Sequence, residues 1–120
     1  MTAETRDARY RTGLRSEWLA ALALRLRGYR ILDKRWKSRS GEIDLVAVRG
    51  RRLAFVEVKH RTDTTDEEAA AAVGDAQRQR TRRAAELWVA RHPAYRGYKI
   101  AFHLVLVAPR RWPRIMEDGL

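Results

Sequence analysis

The chain has 120 residues, 26 Lys+Arg against 15 Asp+Glu and a formal net charge of +11, which bounds it to one domain with one modest core. With 45% hydrophobic residues and no cysteine, it is a globular domain without a disulfide scaffold, thiolate metal site, iron–sulfur cluster or cysteine nucleophile. No apolar run approaches the roughly 20 residues of a spanning helix, and the N-terminal residues, with Glu4 and Asp7 among arginines, show no apolar signal-peptide stretch. The expectation is a soluble cytoplasmic protein without a membrane partner.

Residues 1–12 are polar and read as a loose segment. From Gly13, Leu14, Trp18, Leu22 and Leu26 recur every fourth residue and predict a helix with that stripe buried. Gly28 stops it as a C′ residue. Tyr29–Trp36 reads as a first strand, interrupted by Asp33 and Lys34. Ser38–Gly41 is a turn cluster, and Glu42–Val48 and Leu53–His60 are alternating strands. Thr65 and Glu68 form a capping-box pattern opening a second helix near Asp66. That helix runs to Arg91, with a break at Gly74, and His92-Pro93 closes it. Lys99–Val107 is the last strand, and residues 109–120 read as a tail. The order is α-β-β-β-α-β, over a domain spanning 13–108.

The second and third strands meet at Arg49-Gly50-Arg51-Arg52. A two-residue loop with Gly50 first suits a type II′ turn, which needs glycine there. Facing residues then have numbers summing to 101. Val48 faces Leu53, Val46 faces Phe55, Asp44 faces Glu57 and Glu42 faces Lys59, all on one side of the sheet. The other side carries Ile43 with Val58, Leu45 with Val56 and Ala47 with Ala54, wholly apolar. A slip by one residue would put the charges into that apolar face. Two carboxylates about 5 Å apart repel unless a proton or a cation bridges them. A hard divalent ion such as Mg²⁺ or Mn²⁺ takes oxygen ligands of this kind. The alternative is a surface pair neutralised by Lys59 and arginines.

The charge is segregated. Residues 11–39 hold nine basic residues against Glu17 and Asp33, residues 63–75 are acidic, and residues 76–96 turn basic again. A basic excess of this form suits a polyanion, most simply nucleic acid; a solvated, solubilising surface is the other reading.

Gly41-Glu42-Ile43-Asp44 followed by Phe55-Val56-Glu57-Val58-Lys59 resembles the D-(x)n-E-x-K core of the PD-(D/E)XK nuclease superfamily. More closely, the chain resembles the small bacterial YraN-like family, a group similar to archaeal Holliday-junction resolvases. The resemblance covers residues 9 to 107. It implies an α/β fold with a restriction-endonuclease-like core, a mixed sheet flanked by helices. It implies a Mg²⁺- or Mn²⁺-dependent endonuclease acting on DNA, selective for branched or damaged structures, with Asp44 and Glu57 as metal ligands, Glu17 as a third acid and Lys59 as the catalytic lysine. Glu42 and Gln77 take supporting places. Where the family has a Lys-Gln pair this chain has Gln77-Arg78, and where it has Arg-Phe-Asp this chain has Ala101-Phe102-His103. Arg15, Arg39, Arg61, Arg78 and Arg82 are the candidate phosphate contacts, which position a strand without reading its sequence. Partnering by a homodimer is compatible with the sequence. A catalytically inactive nucleic-acid-binding protein and a ribosome-associated factor on the same fold are the competing classes.

Overall fold

The computed structural model describes the backbone of residues 3–62 and 64–120, and the side chains of that span from Arg11 onward. The elements are α1 (Ala3–Leu26), β1 (Arg30–Ser38), β2 (Gly41–Arg49), β3 (Arg52–His60), α2 (Asp66–Ala71), α3 (Asp75–Arg91), a 3₁₀ turn (Pro93–Tyr95), β4 (Lys99–Val107) and β5 (Arg114–Met116). The five strands form one mixed sheet in the order β1-β2-β3-β4-β5. Only β3 and β4 run parallel. Parallel neighbours need a crossover, and α2 and α3 supply it. This is the α/β architecture expected, a mixed sheet with helices on both faces.

Alternation along the strands divides the core. Leu45, Ala47, Ala54 and Val56 pack with Ala20, Ala21 and Leu24 of α1. Val46, Val48, Leu53 and Phe55 pack with Ala84, Ala85 and Trp88 of α3. The hairpin register matches the sum of 101 from Arg49↔Arg52 to Leu45↔Val56. Gly50 has φ +59, and Arg51 is not among the residues of positive φ, as a type II′ turn requires. The capping box of Thr65 and Glu68 is present.

Several elements differ from the sequence expectation. The first helix begins at Ala3, not Gly13, so the segment expected to be loose is helical from residue 3; Met1 and Thr2 lie outside the described residues. The buried side of α1 is also not the four-residue stripe. Leu14, Trp18 and Leu26 are 38%, 56% and 72% exposed, while Ser16, Ala20, Ala21, Ala23 and Leu24 are buried. Small alanines let the helix axis approach the sheet, and the large apolar side chains are left on the outer side. The break foreseen at Gly74 is a full interruption, with Gly74 as the N-cap of α3.

In β1 the pairing shifts between Ile31 and Asp33. Asp33 Oδ2 then accepts the indole N–H of the buried Trp88 at 3.1 Å. The charged residue that seemed to interrupt the strand satisfies a polar group in the core. The C-terminal residues are part of the sheet rather than a tail. Arg114–Met116 pairs antiparallel to β4, and Leu120 is buried against Leu104 and Leu106. Arg111 and Arg114 both donate to Asp66, Arg114 at 2.8 Å. Those two guanidinium groups hold the Asp66 carboxyl below its usual range. Part of the acidic run thus ties the C-terminal segment to α2; Asp63 lies outside the described residues.

His103 is fully buried in β4. Its Nδ1 accepts the backbone N–H of Asp118 at 3.1 Å, and its Nε2 bonds the Tyr29 hydroxyl at 3.1 Å. It does not face the carboxylates. Burial lowers its pKa, against the opposing charges of Glu117 and Asp118. An acceptor Nδ1 is unprotonated, and protonation would set two donors against each other. A lowered His pKa contributes stability that is present above the unfolded value near 6.5 and lost as pH falls through the folded value. The melting temperature of the wild type is therefore expected to fall relative to His103→Gln as pH is lowered from about 7 to 5. A wild-type minus variant difference that is constant over this range would count against a neutral buried imidazole.

Candidate active site at the fork of two strands

The β2–β3 ladder ends at Leu45↔Val56. Beyond it, Oδ2 of Asp44 accepts the Val58 backbone N–H at 2.8 Å. A carboxylate thus takes the place of a strand carbonyl, and the two strands part. This corrects part of the expected register: Ile43–Val58, Asp44–Glu57 and Glu42–Lys59 are not ladder pairs. Ile43 packs with the α3 cluster, while Val58 packs on the α1 side. The turn before β2 is fixed by Gly41 at φ +148, a conformation that favours glycine. Ser38 Oγ donates to the Gly41 carbonyl at 2.8 Å.

The fork brings the predicted acids together. The Asp44 pKa is pushed up to about 8, by burial first and then by the charge of the nearby Glu57, against the Val58 N–H that lowers it. On α3, Gln77 Nε2 donates to Glu57 Oε1 at 2.8 Å. Lys59 Nζ lies 3.1 Å from the same oxygen. Gln77 is itself positioned by helix packing, since the buried Thr81 hydroxyl donates to its carbonyl at 3.0 Å. Gln77 thus ties α3 directly to the Glu57 carboxylate.

Glu17 approaches from α1. Its charge raises the pKa of Asp44, and its own pKa is raised, by burial first, against the attraction of Arg35. Arg35 Nε lies 3.4 Å from Glu17 and 3.8 Å from Glu42. Arg35 has φ +50, a region that a side chain of this size seldom enters. It is the site residue that sequence reasoning missed, and its only trace in the sequence is a basic residue in a strand rich in them. Glu42 is on the half-exposed rim. Among the described residues no group of three His, Asp or Glu side chains is disposed to hold a metal ion. The donor set is therefore the pair Asp44 and Glu57, with Glu17 engaged by Arg35.

The candidate phosphate contacts come from several elements around the sheet. Arg15 is on α1 and lines a pocket on that side of the sheet. Arg78 and Arg82 are on α3, across the sheet. Arg78 is 3.6 Å from Asp75, and Arg82 lies over the Phe102 ring at 4.7 Å. Arg39 sits in the β1–β2 turn. Arg61 follows β3 and donates its backbone N–H to Val107 at 2.8 Å. Among the described residues no helix is long and apolar enough to cross a membrane.

Comparison with known proteins places the chain. Its residues 16–107 match the uncharacterised protein family UPF0102. A UPF0102 protein of Chelativorans sp. strain BNC1 is 50% identical over 121 residues, covering 98% of this chain and 96% of that protein. A UPF0102 protein of Parvibaculum lavamentivorans is 49% identical over 112 residues, covering 93% and 83%. One of Mesorhizobium japonicum is 46% identical over 115 residues, covering 96% and 90%. The matched span contains Glu17, the Gly41–Asp44 and Phe55–Lys59 segments and Gln77, so the fork is built from residues inside it, and the chain belongs to the uncharacterised protein family UPF0102.

Proposed function

We propose that this chain is a divalent-metal-dependent endonuclease that hydrolyses DNA phosphodiester bonds, with selectivity for branched or damaged structures. The observation that carries the reading is the meeting of Asp44, Glu57, Lys59 and Gln77 at the end of the β2–β3 ladder. Asp44 and Glu57 are half-buried acids close enough for the charge of Glu57 to raise the Asp44 pKa, and a divalent ion between them would offset that repulsion. The donor set fits Mg²⁺ or Mn²⁺. Mg²⁺ is commonly held through one or two carboxylates plus substrate phosphate and water rather than by an all-protein cage.

Asp44 and Glu57 are the residues that would hold the ion. When bound, it supplies positive charge against the phosphoryl oxygens and acidifies nearby water. Lys59 stands beside Glu57 and directs its ammonium at the phosphate or at the attacking water. There it orients that water and stabilises negative charge developing on the phosphoryl group. Gln77 holds the Glu57 carboxylate in one orientation. Arg35 partly offsets the burial that raises the Glu17 pKa and also lies near Glu42.

The test is a cleavage panel of duplex, single-stranded, flap and four-way-junction DNA with Mg²⁺ or Mn²⁺. Cleavage of at least one form that chelation abolishes is expected. Metal binding without cleavage of any form would replace this reading with a catalytically inactive nucleic-acid-binding role. DNA binding is also expected to weaken steeply with salt, because arginine contacts release counterions. A flat plot of log affinity against log salt between about 50 and 200 mM would remove phosphate contact from the account.

A further inference from the structure

A pocket of about 420 Å³ lies between α1 and the ends of β3 and β4, and three arginines and a histidine line it: Arg15, Arg110, Arg111 and His60. Arg111 is held by Asp66. Arg15, His60 and Arg110 have no carboxylate partner among the described residues. The inner wall is apolar, from Leu19 and Val107, and the exposed arginines stand around its mouth. Arg110 stands at φ +62, a left-handed conformation that arginine rarely adopts. Such backbone strain collects at functional sites, and here it belongs to a residue of the pocket wall.

We propose that this pocket binds the terminal phosphate of a nucleic-acid strand. A terminal phosphate carries close to two negative charges at neutral pH, a bridging diester only one. Two arginines without a carboxylate partner, Arg15 and Arg110, facing one concavity match the former better. A concavity also receives a chain end more readily than a chain that must enter and leave. The pocket adjoins the carboxylate fork through the chain itself: His60 follows Lys59 on β3, and Arg15 and Ser16 precede Glu17 on α1. As a substrate preference this rests on the nuclease reading: the enzyme acts on strands bearing a phosphorylated end. As a binding site it stands alone.

The experiment measures binding by the full chain without divalent metal, using fluorescence anisotropy of one labelled oligonucleotide with a 5′-phosphate, a 3′-phosphate or hydroxyl ends. One phosphorylated form is expected to bind about tenfold tighter than the hydroxyl form. Arg110→Gly removes the guanidinium at a φ that glycine adopts freely, so this variant folds. It is expected to lose most of that preference while binding the hydroxyl form within about twofold of wild type, as expected of a contact confined to the end group. His60→Gln tests the opposite wall and is expected to act in the same direction. Equal affinity of wild type for all three forms overturns the proposal, as does a preference that survives both variants. Because no metal is present, the result is independent of cleavage. An end preference in a chain that cleaves nothing would keep the pocket and sink the nuclease reading, and cleavage without end preference would do the reverse.

Discussion

Replacing Lys59 with alanine is expected to lower Mg²⁺-dependent cleavage by about 100-fold or more and to leave DNA affinity within about twofold. The ammonium lies 3.1 Å from Glu57 at the open end of the fork, where it can reach a phosphoryl oxygen or the attacking water. Its loss removes stabilisation that matters when charge develops, and little ground-state binding, since the many arginines supply that. Lys59→Arg keeps the charge but spreads it over a planar fork with different reach, so partial activity is expected. Single-turnover cleavage at saturating protein separates the two effects. Unchanged cleavage by Lys59→Ala would mean that Lys59 only neutralises Glu57, and the catalytic role would have to be dropped.

Asp44→Asn is expected to abolish metal-dependent cleavage while making the metal-free protein more stable, by on the order of 1 kcal/mol near neutral pH. Asparagine keeps an oxygen that can accept the Val58 N–H, the bond that holds the fork at 2.8 Å. It removes a charge that is costly beside Glu57 and Glu17. The pH dependence follows from the raised Asp44 pKa of about 8. A carboxyl whose folded pKa exceeds its unfolded value contributes stability that is complete below about pH 4 and is lost as pH rises through the folded value. The advantage of Asp44→Asn should therefore grow between about pH 4 and 8 and level off above. Mg²⁺ should raise the wild-type melting temperature by mass action, by several degrees at about 100 times its dissociation constant, and leave that of the variant nearly unchanged. Thermal melts of both proteins across pH, with and without Mg²⁺, read all of this. Equal Mg²⁺ shifts would mean that Asp44 is not a ligand. A variant much less stable than wild type would mean that protein groups favour the Asp44 charge.

Asp44→Ala separates the two roles of this side chain. It removes the charge and the acceptor together, so it is expected to be less stable than Asp44→Asn by about 1 to 3 kcal/mol, the cost of an unsatisfied buried N–H. The comparison shows how far the same carboxylate that serves the proposed chemistry also builds the fork.

The elements whose identity was legible in the sequence are those governed by local periodicity and local turn chemistry. Gly50 sets the hairpin and with it the pairing from Arg49↔Arg52 to Leu45↔Val56. Thr65 and Glu68 cap α2 through their own side chains. Alternation in β2 and β3 allots Leu45, Ala47, Ala54 and Val56 to one helix and Val46, Val48, Leu53 and Phe55 to the other. Asp44, Glu57 and Lys59 were legible together because a short hairpin converts sequence distance directly into spatial distance.

What required the tertiary structure is what long-range neighbours decide. The outward side of α1 carries Leu14, Trp18 and Leu26 because alanines allow the closest approach to the sheet, and a stripe of large residues does not reveal which side finds a partner. Arg35 meets Glu17 and Glu42 only because β1 shifts register and the chain turns through φ +50. The strand fork at Asp44 is invisible to alternation, since a side chain there replaces a backbone carbonyl as acceptor for Val58. β5 is three residues long and is held by pairing with β4, by the grip of Arg111 and Arg114 on Asp66 and by the burial of Leu120. The sequence alone determined which acids and which lysine share one end of the hairpin, because neighbours a few residues apart interact through rules of period and turn. Only the tertiary structure decided how those acids are bonded and which cations surround them, because those contacts join residues 17, 35, 44, 57 and 77, whose approach depends on the packing of the whole sheet between its helices.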